Sequence, residues 1–157
     1  MKIFSTARLV AGISMSILAG LGHAQALDAS WRLRVMDMQD RVKVEATIRF
    51  TNETAESCMA GKWKRAVVEA KATQAESFFP LDGPLAYKVE DGKLTLGRTE
   101  VCDGYLFLAG TQRGSSVQGT YDAVGWGSRQ LGSFSLLKIQ PRAQPSSDAA
   151  ENKERLE

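Results

Sequence analysis

Histidine is almost absent from this 157-residue sequence, because the one imidazole is His23 and it lies in a segment that we expect to be removed. A chain without histidine cannot use a Ser-His-Asp or Cys-His mechanism, and it lacks the most common transition-metal ligand. The concentrated acidic loops that bind Ca²⁺ are missing as well. We therefore expect neither a bound metal nor a cofactor.

Net charge is also small. The chain has 20 Lys and Arg against 18 Asp and Glu, and two of the positive residues, Lys2 and Arg8, lie in the first 26 residues. Without them the chain is neutral, and the two signs are interspersed. Because nucleic-acid-binding domains place a basic patch on a basic domain, we expect no nucleic-acid partner.

The longest apolar stretch, residues 9–21, is too short for a transmembrane helix, which needs about 20 apolar residues. Two positive residues precede it, and residues 24–26 read Ala-Gln-Ala, which suits signal peptidase. Residues 1–26 are therefore predicted to be a secretory signal, with cleavage after Ala24 as the alternative. No cysteine lies near the cleavage site, so we expect a periplasmic or secreted protein without a lipid anchor or a membrane span.

Cysteine is limited to Cys58 and Cys102. An even number of cysteines in an exported protein favours a disulfide, which would close a loop of roughly 45 residues and stabilise the fold by about 4 kcal/mol. The alternative is a thiol nucleophile or a metal pair. With no histidine nearby and no Cys-x-x-Cys spacing, the structural disulfide is favoured.

Alternating apolar and polar residues are the clearest positive signal, and they predict a chain of short β-strands. Asp91-Gly92 is typical of a two-residue hairpin turn, and residues 125–132 are predicted to form a glycine-rich loop. Residues 55–77 have some helical propensity, but we favour a strand over 63–73. The predicted strands cover residues 31–35, 42–51, 63–73, 85–89, 94–96, 105–109, 117–123 and 133–139.

About eight short strands predict an all-β fold, a single small antiparallel barrel over residues 27–140. This arrangement resembles the calycin barrels (lipocalins and avidins) in architecture, and a flattened sandwich is the competing fold. Gly61-Lys62-Trp63 matches the lipocalin Gly-x-Trp, but it follows two predicted strands instead of lying in the first, so no lipocalin role is assigned. Residues 141–157 are polar and are predicted to form a disordered tail.

Aromatic residues in or beside the predicted strands are candidates for lining a ligand cavity. An eight-stranded barrel is either filled by its side chains or holds one small ligand, and we favour filling. Small residues, Ala66, Ala70, Gly119 and Ala123, would leave some room inside. The cavity candidates are Trp31, Tyr87, Phe107, Tyr121 and Phe134.

Three residues are candidates for binding a partner protein: Trp126, Arg129 and Arg113. A tryptophan between two glycines, with an arginine nearby, is typical of a contact hot spot, although we favour a Trp126 that folds back to cap the barrel. No carboxylate spacing specifies a catalytic pair. We therefore predict a non-catalytic exported binding module that contacts proteins, such as an inhibitor or immunity-type partner of another exported protein. The alternative is a carrier of a small apolar ligand inside the barrel.

Overall fold

A computed structural model describes residues 27, 29–75, 77–102 and 104–140 of the chain. The predicted signal, 1–26, and the predicted tail, 141–157, lie outside these residues. None of the described residues forms a helix long and apolar enough to cross a membrane. The described part contains eight strands: β1 (Ser30–Asp37), β2 (Val42–Thr54), β3 (Lys64–Gln74), β4 (Leu85–Glu90), β5 (Lys93–Gly97), β6 (Tyr105–Arg113), β7 (Ser116–Val124) and β8 (Ser128–Lys138).

The eight strands form one closed antiparallel barrel, as predicted. Each strand pairs with the next along the chain, and β8 pairs with β1 to complete the cylinder. The hairpin between β4 and β5 turns at Asp91 and Gly92, whose φ angles of 50° and 74° are the left-handed values that a two-residue hairpin turn requires. The strand predicted over 63–73 is confirmed as β3.

The last strand begins at Ser128, five residues before the predicted start, so the prediction of a loop over 125–132 is wrong beyond Gly127. The glycines of this stretch were interpreted as a loop signal, but Gly132 lies within β8 and has a packing role in the sheet. A Cβ atom at Gly132 would come within 1.8 Å of the carbonyl oxygen of Met36 in β1. Glycine therefore permits the close approach that joins β8 to β1.

The pairing of β3 with β4 is short. Only Lys64–Ala66 of β3 pairs with β4, while the rest of β3 pairs with β2 alone and contains two bulges. The loop 75–84 then returns the chain from the end of β3 to the start of β4. Its Phe79 and Leu81 are buried in the barrel core, so side chains of this loop close the wall where backbone pairing stops.

Inward-facing residues of all eight strands form the interior core, as the alternation predicts. Each strand contributes residues that are almost fully buried, among them Leu33, Ile48, Leu96 and Leu136. The room predicted at Gly119 does not exist, because a Cβ there would lie 2.0 Å from the carbonyl oxygen of the neighbouring strand. Gly119 pairs with Gly110 of β6, and the missing side chain at Gly110 makes space for the ring of Phe134.

Candidate functional site

A second, smaller group of aromatic residues packs on the outside of the barrel. We call it the outer cluster: Trp63, Ala86 and Phe107 are buried in it, and Ala55, Met59, Tyr105 and Val124 pack around them. Phe107 precedes the interior residue Leu108 in β6, so its side chain lies on the opposite face of the strand. The prediction that Phe107 lines an interior cavity is therefore wrong.

The rings of the outer cluster are stacked in a row across the barrel surface. The centroids of Trp63 and Phe107 are 6.3 Å apart with nearly parallel planes, and those of Phe107 and Tyr105 are 5.4 Å apart. The ammonium group of Lys88 lies 5.3 Å from the Trp63 ring, a cation–π distance. The absence of a side chain at Gly97 makes room for the Phe107 ring in this row, because a Cβ there would come within 2.6 Å of the ring.

Residues 55–63, which we call the strap, fold back over the barrel and complete the outer cluster. The buried Thr99 holds the strap twice: its Oγ1 donates to the Glu56 carbonyl oxygen at 3.2 Å, and its own carbonyl oxygen accepts from the Cys58 amide at 2.8 Å. The indole N–H of Trp63 donates to the Ala60 carbonyl oxygen within the strap. The strap is thus a folded segment with its own hydrogen bonds and not an open loop.

The predicted disulfide between Cys58 and Cys102 is present and ties the strap to the loop between β5 and β6. Its two Cα atoms are 5.3 Å apart, and both cysteines are exposed to solvent. Both cysteines lie between strands, Cys58 between β2 and β3 and Cys102 between β5 and β6. The covalent link therefore lies on the surface of the barrel, beside the outer cluster, and does not cross the interior core.

Trp126 is fully exposed, so the interpretation that it caps the barrel is wrong. It is the middle residue of the turn 125–127, which is closed by a 2.9 Å hydrogen bond from the Gly125 amide to the Gly127 carbonyl oxygen. Trp126 and Gly125 line an open cleft of about 570 Å³ together with Tyr105 and Cys102. This cleft joins the exposed indole to the end of the aromatic row and to the disulfide.

The other two partner-binding candidates lie elsewhere. Arg113 ends β6 opposite Ser116, at the end of the barrel away from the turn that holds Trp126. Arg129 lies within β8, not in a loop, and is exposed at the barrel rim. Arg129 pairs with Ala123 of β7, and Ala123 pairs with Leu106 of β6, which packs against the core. Because directly paired residues share one face of a sheet, Arg129 lies on the interior face. The structure therefore does not gather the three residues into one site.

Four of the five cavity candidates, Trp31, Tyr87, Tyr121 and Phe134, are buried in the interior core. Phe50 lies between two of them, with its ring centroid 6.2 Å from that of Trp31 and 4.6 Å from that of Tyr87. The Tyr87 hydroxyl donates to the Thr51 carbonyl oxygen at 2.8 Å. These side chains contact one another in edge-to-face geometry, as side chains do in a filled core.

Tyr121 is packed against the loop 75–84. Its ring centroid lies 5.1 Å from that of Phe78 and 5.5 Å from that of Phe79, and its hydroxyl donates to the Phe78 carbonyl oxygen. Burial raises the pKa of the Tyr121 hydroxyl to about 12, because the charged phenolate is poorly solvated there. The hydroxyl anchors the loop that closes the barrel wall.

Two exposed carboxylates, Glu69 in β3 and Asp82 in the loop 75–84, are hydrogen-bonded to neighbouring side chains. Hydrogen bonds from Ser30 and Arg49 lower the pKa of Glu69, and a hydrogen bond from Lys71 lowers that of Asp82. A lowered pKa keeps a carboxyl group charged near neutral pH, which makes it a weak general acid or base. Within the described ranges, no three acidic, cysteine or histidine side chains converge to hold a metal ion.

The cleft at Trp126 is therefore the candidate site, and sequence reasoning identified only part of it. Tyr105 and the strap were missed, although Tyr105 and Phe107 two residues apart in one strand were a signal for a shared aromatic face. Val101, 45 % exposed and adjacent to Cys102, adds apolar surface on the same loop. This chain matches no protein-family model, no curated protein and no solved structure.

Proposed function

We propose that this protein is an exported, non-catalytic binding module that acts through protein–protein contacts, with Trp126 as the central contact residue. An inhibitor or immunity-type partner of another exported protein would work in this way. The observation that carries the proposal is a fully exposed tryptophan held on a three-residue turn. The disulfide supports export, since disulfides persist in oxidising compartments.

An exposed tryptophan on a short hairpin turn is suited to binding. Tryptophan can bury roughly 150–250 Å² on contact and is enriched among the residues that dominate interface energies. The turn is constrained by β7, β8 and its own hydrogen bond, so little conformational entropy is lost when a partner binds. Tyr105 and Val101 beside it extend the surface that a partner would cover.

The packing of the interior favours this function over the carrier alternative. The four interior cavity candidates belong to one continuous cluster of buried side chains, as the residues of a filled barrel do. Charged, paired carboxylates likewise favour a binding role over acid–base catalysis. Trp126, the most exposed of the large apolar side chains described, lies at this cleft.

The test compares partner capture by the chain from Leu27 onward and by its Trp126→Ala variant, using envelope extract or medium from the native source. Loss of a hot-spot tryptophan typically costs about 2 kcal/mol or more, so the variant should retain only a few per cent of a bound partner. Its free energy of unfolding should change by less than about 0.5 kcal/mol, because the side chain is exposed.

Met38→Ala is the matched control. Met38 is 60 % exposed and lies in the turn between β1 and β2, so its removal also deletes exposed apolar surface. The Met38 variant should capture the same partner as the parent chain. If both variants capture every protein that the parent chain captures, the proposed function is wrong.

A further inference from the structure

The Trp126 cleft is lined by a disulfide-bonded cysteine as well as by an exposed tryptophan. Cys102, one half of the disulfide, lines the cleft together with Tyr105, Gly125 and Trp126. Both cysteines are exposed residues, so the disulfide lies at the surface of the protein. Disulfides exchange when a thiolate attacks one of their sulfur atoms, and access to that atom is part of what sets the rate.

The two ends of this disulfide lie in different surroundings. Cys58 belongs to the strap, where its amide donates to the Thr99 carbonyl oxygen. Cys102 lies on the loop between β5 and β6 and forms part of the cleft wall. A partner that contacts Trp126 would therefore lie next to Cys102, whereas Cys58 belongs to the strap.

We propose that the Trp126 cleft is a docking site for a protein dithiol, which exchanges with the disulfide by attack on Cys102. This inference rests on the proposed function, since it names the chemical class of the protein that contacts Trp126. Contact with the indole and with Tyr105 places the partner's thiolate beside Cys102, the cysteine that lines the cleft.

The exchange proceeds in two steps. The partner's thiolate attacks the Sγ of Cys102, the bond to Cys58 breaks, and Cys58 leaves as a thiolate that takes up a proton. The partner's second thiol then attacks its own sulfur in the mixed disulfide and releases Cys102. In sum, two electrons and two protons pass from the partner dithiol to this chain, and the partner becomes the disulfide.

Reduction would free the strap without cutting the interior core. The strap places Trp63 over Ala86 and Phe107, the other buried members of the outer cluster, and the hydrogen bonds of Thr99 would be its remaining anchor. Release of the strap would uncover Ala86 and Phe107 and join them to Tyr105 and Trp126 in a larger apolar surface. The disulfide thus sets how much of the aromatic row is open to a partner.

The experiment uses the oxidised chain from Leu27 onward and, as the probe, a thioredoxin-fold dithiol protein whose resolving cysteine is replaced by serine. The probe stops at the mixed disulfide, and peptide mass spectrometry then identifies the cysteine that carries it. We expect Cys102. A mixed disulfide mainly on Cys58 would overturn the proposal, because the attack would not come from the cleft.

Rates distinguish docking from simple access to the sulfur. Trp126→Ala should slow reaction with the protein probe about tenfold or more, while reaction with dithiothreitol stays within about twofold. The Met38→Ala control should change neither rate. Equal slowing with both reductants would indicate a disturbed loop, and no slowing with either would show that the indole is not used; both results contradict the proposal.

The proposed function and this inference fail separately. The double variant Cys58→Ser/Cys102→Ser has no disulfide to exchange. If it still captures a partner in a Trp126-dependent manner, and the probe reacts without regard to Trp126, then the contact function stands and the dithiol partner is wrong. If capture depends on neither Trp126 nor the cysteines, the proposed function is also wrong.

Discussion

The interior core and the outer cluster are both rich in aromatic rings, but they are held together in different ways. In the interior core, inward-facing residues meet because backbone pairing closes the barrel. In the outer cluster, Trp63 at the end of the strap packs with Phe107, and the strap is fixed by Thr99 and by the disulfide. The comparison shows that one cluster follows from the fold itself, while the other depends on a few anchors.

The largest expected effect comes from removing an interior ring. Phe50→Ala deletes a ring that is 2 % exposed and that contacts both Trp31 and Tyr87. Because the closed barrel cannot collapse around the space, the free energy of unfolding should fall by about 3–5 kcal/mol. Chemical denaturation, followed by circular dichroism, measures this change.

Phe107→Ala is the matched variant in the outer cluster. It removes the same ring, but the strap can settle onto the barrel surface, so the loss should be smaller, on the order of 1–3 kcal/mol. An equal loss in the two variants would show that the outer cluster is as rigidly held as the interior, and the distinction between them would fail.

Breaking the disulfide should separate the two clusters. Cys58→Ser/Cys102→Ser is expected to lower the free energy of unfolding by about 2–4 kcal/mol, since the unfolded chain gains freedom. The barrel should stay folded, with an unchanged far-ultraviolet spectrum. Trp63 should become exposed, which shifts its fluorescence to longer wavelength; Trp31 is interior and Trp126 is already exposed, so the shift reports the strap.

The outcome that would contradict this prediction is a folded double variant whose tryptophan emission is unchanged. The hydrogen bonds of Thr99 would then be sufficient to hold the strap. Complete unfolding of the variant would contradict it too, since the interior core would then depend on the disulfide.

The smallest expected effect concerns pH and belongs to the interior. The pKa of Tyr121 is about 12 in the folded chain, whereas a tyrosine that is not buried has a pKa of 10.0. Between pH 10 and 12 the unfolded state therefore binds fewer protons, so stability falls as the pH rises, by about 1–2 kcal/mol. Tyr121→Phe should flatten the stability profile in this range, as measured by denaturation at several pH values. An equally steep decline in the variant would assign the alkaline loss to another group.

Much of the barrel could be predicted because its interior obeys local rules. Residues 42–51 alternate strictly, and β2 covers them; Asp91-Gly92 provides the positive φ angles that the turn needs. The disulfide was predictable because the chain has only two cysteines. In each case the physical cause lies within a few residues or in a simple count.

The candidate site was less predictable because its parts are joined over long distances in sequence. The alternation in β6 separates Phe107 from Leu108 but does not say which face of the strand is outside, since the strap buries the outer face as well. Trp126 was expected to be buried on the average behaviour of tryptophan. Its exposure follows from the turn 125–127, which projects beyond the end of the sheet.

Because β3 and β4 pair over only a few residues, the barrel wall has its weakest line between these two strands. All other neighbouring strands are joined by five or more residue pairs, whereas β3 and β4 are joined by three pairs and by side chains of the loop 75–84. Local opening will begin along this line, because it has the fewest backbone hydrogen bonds to break. The edge of β3 beyond Ala66 has no strand partner even in the closed barrel, and its two bulges and Lys71 make it poorly shaped to pair with a strand of another molecule.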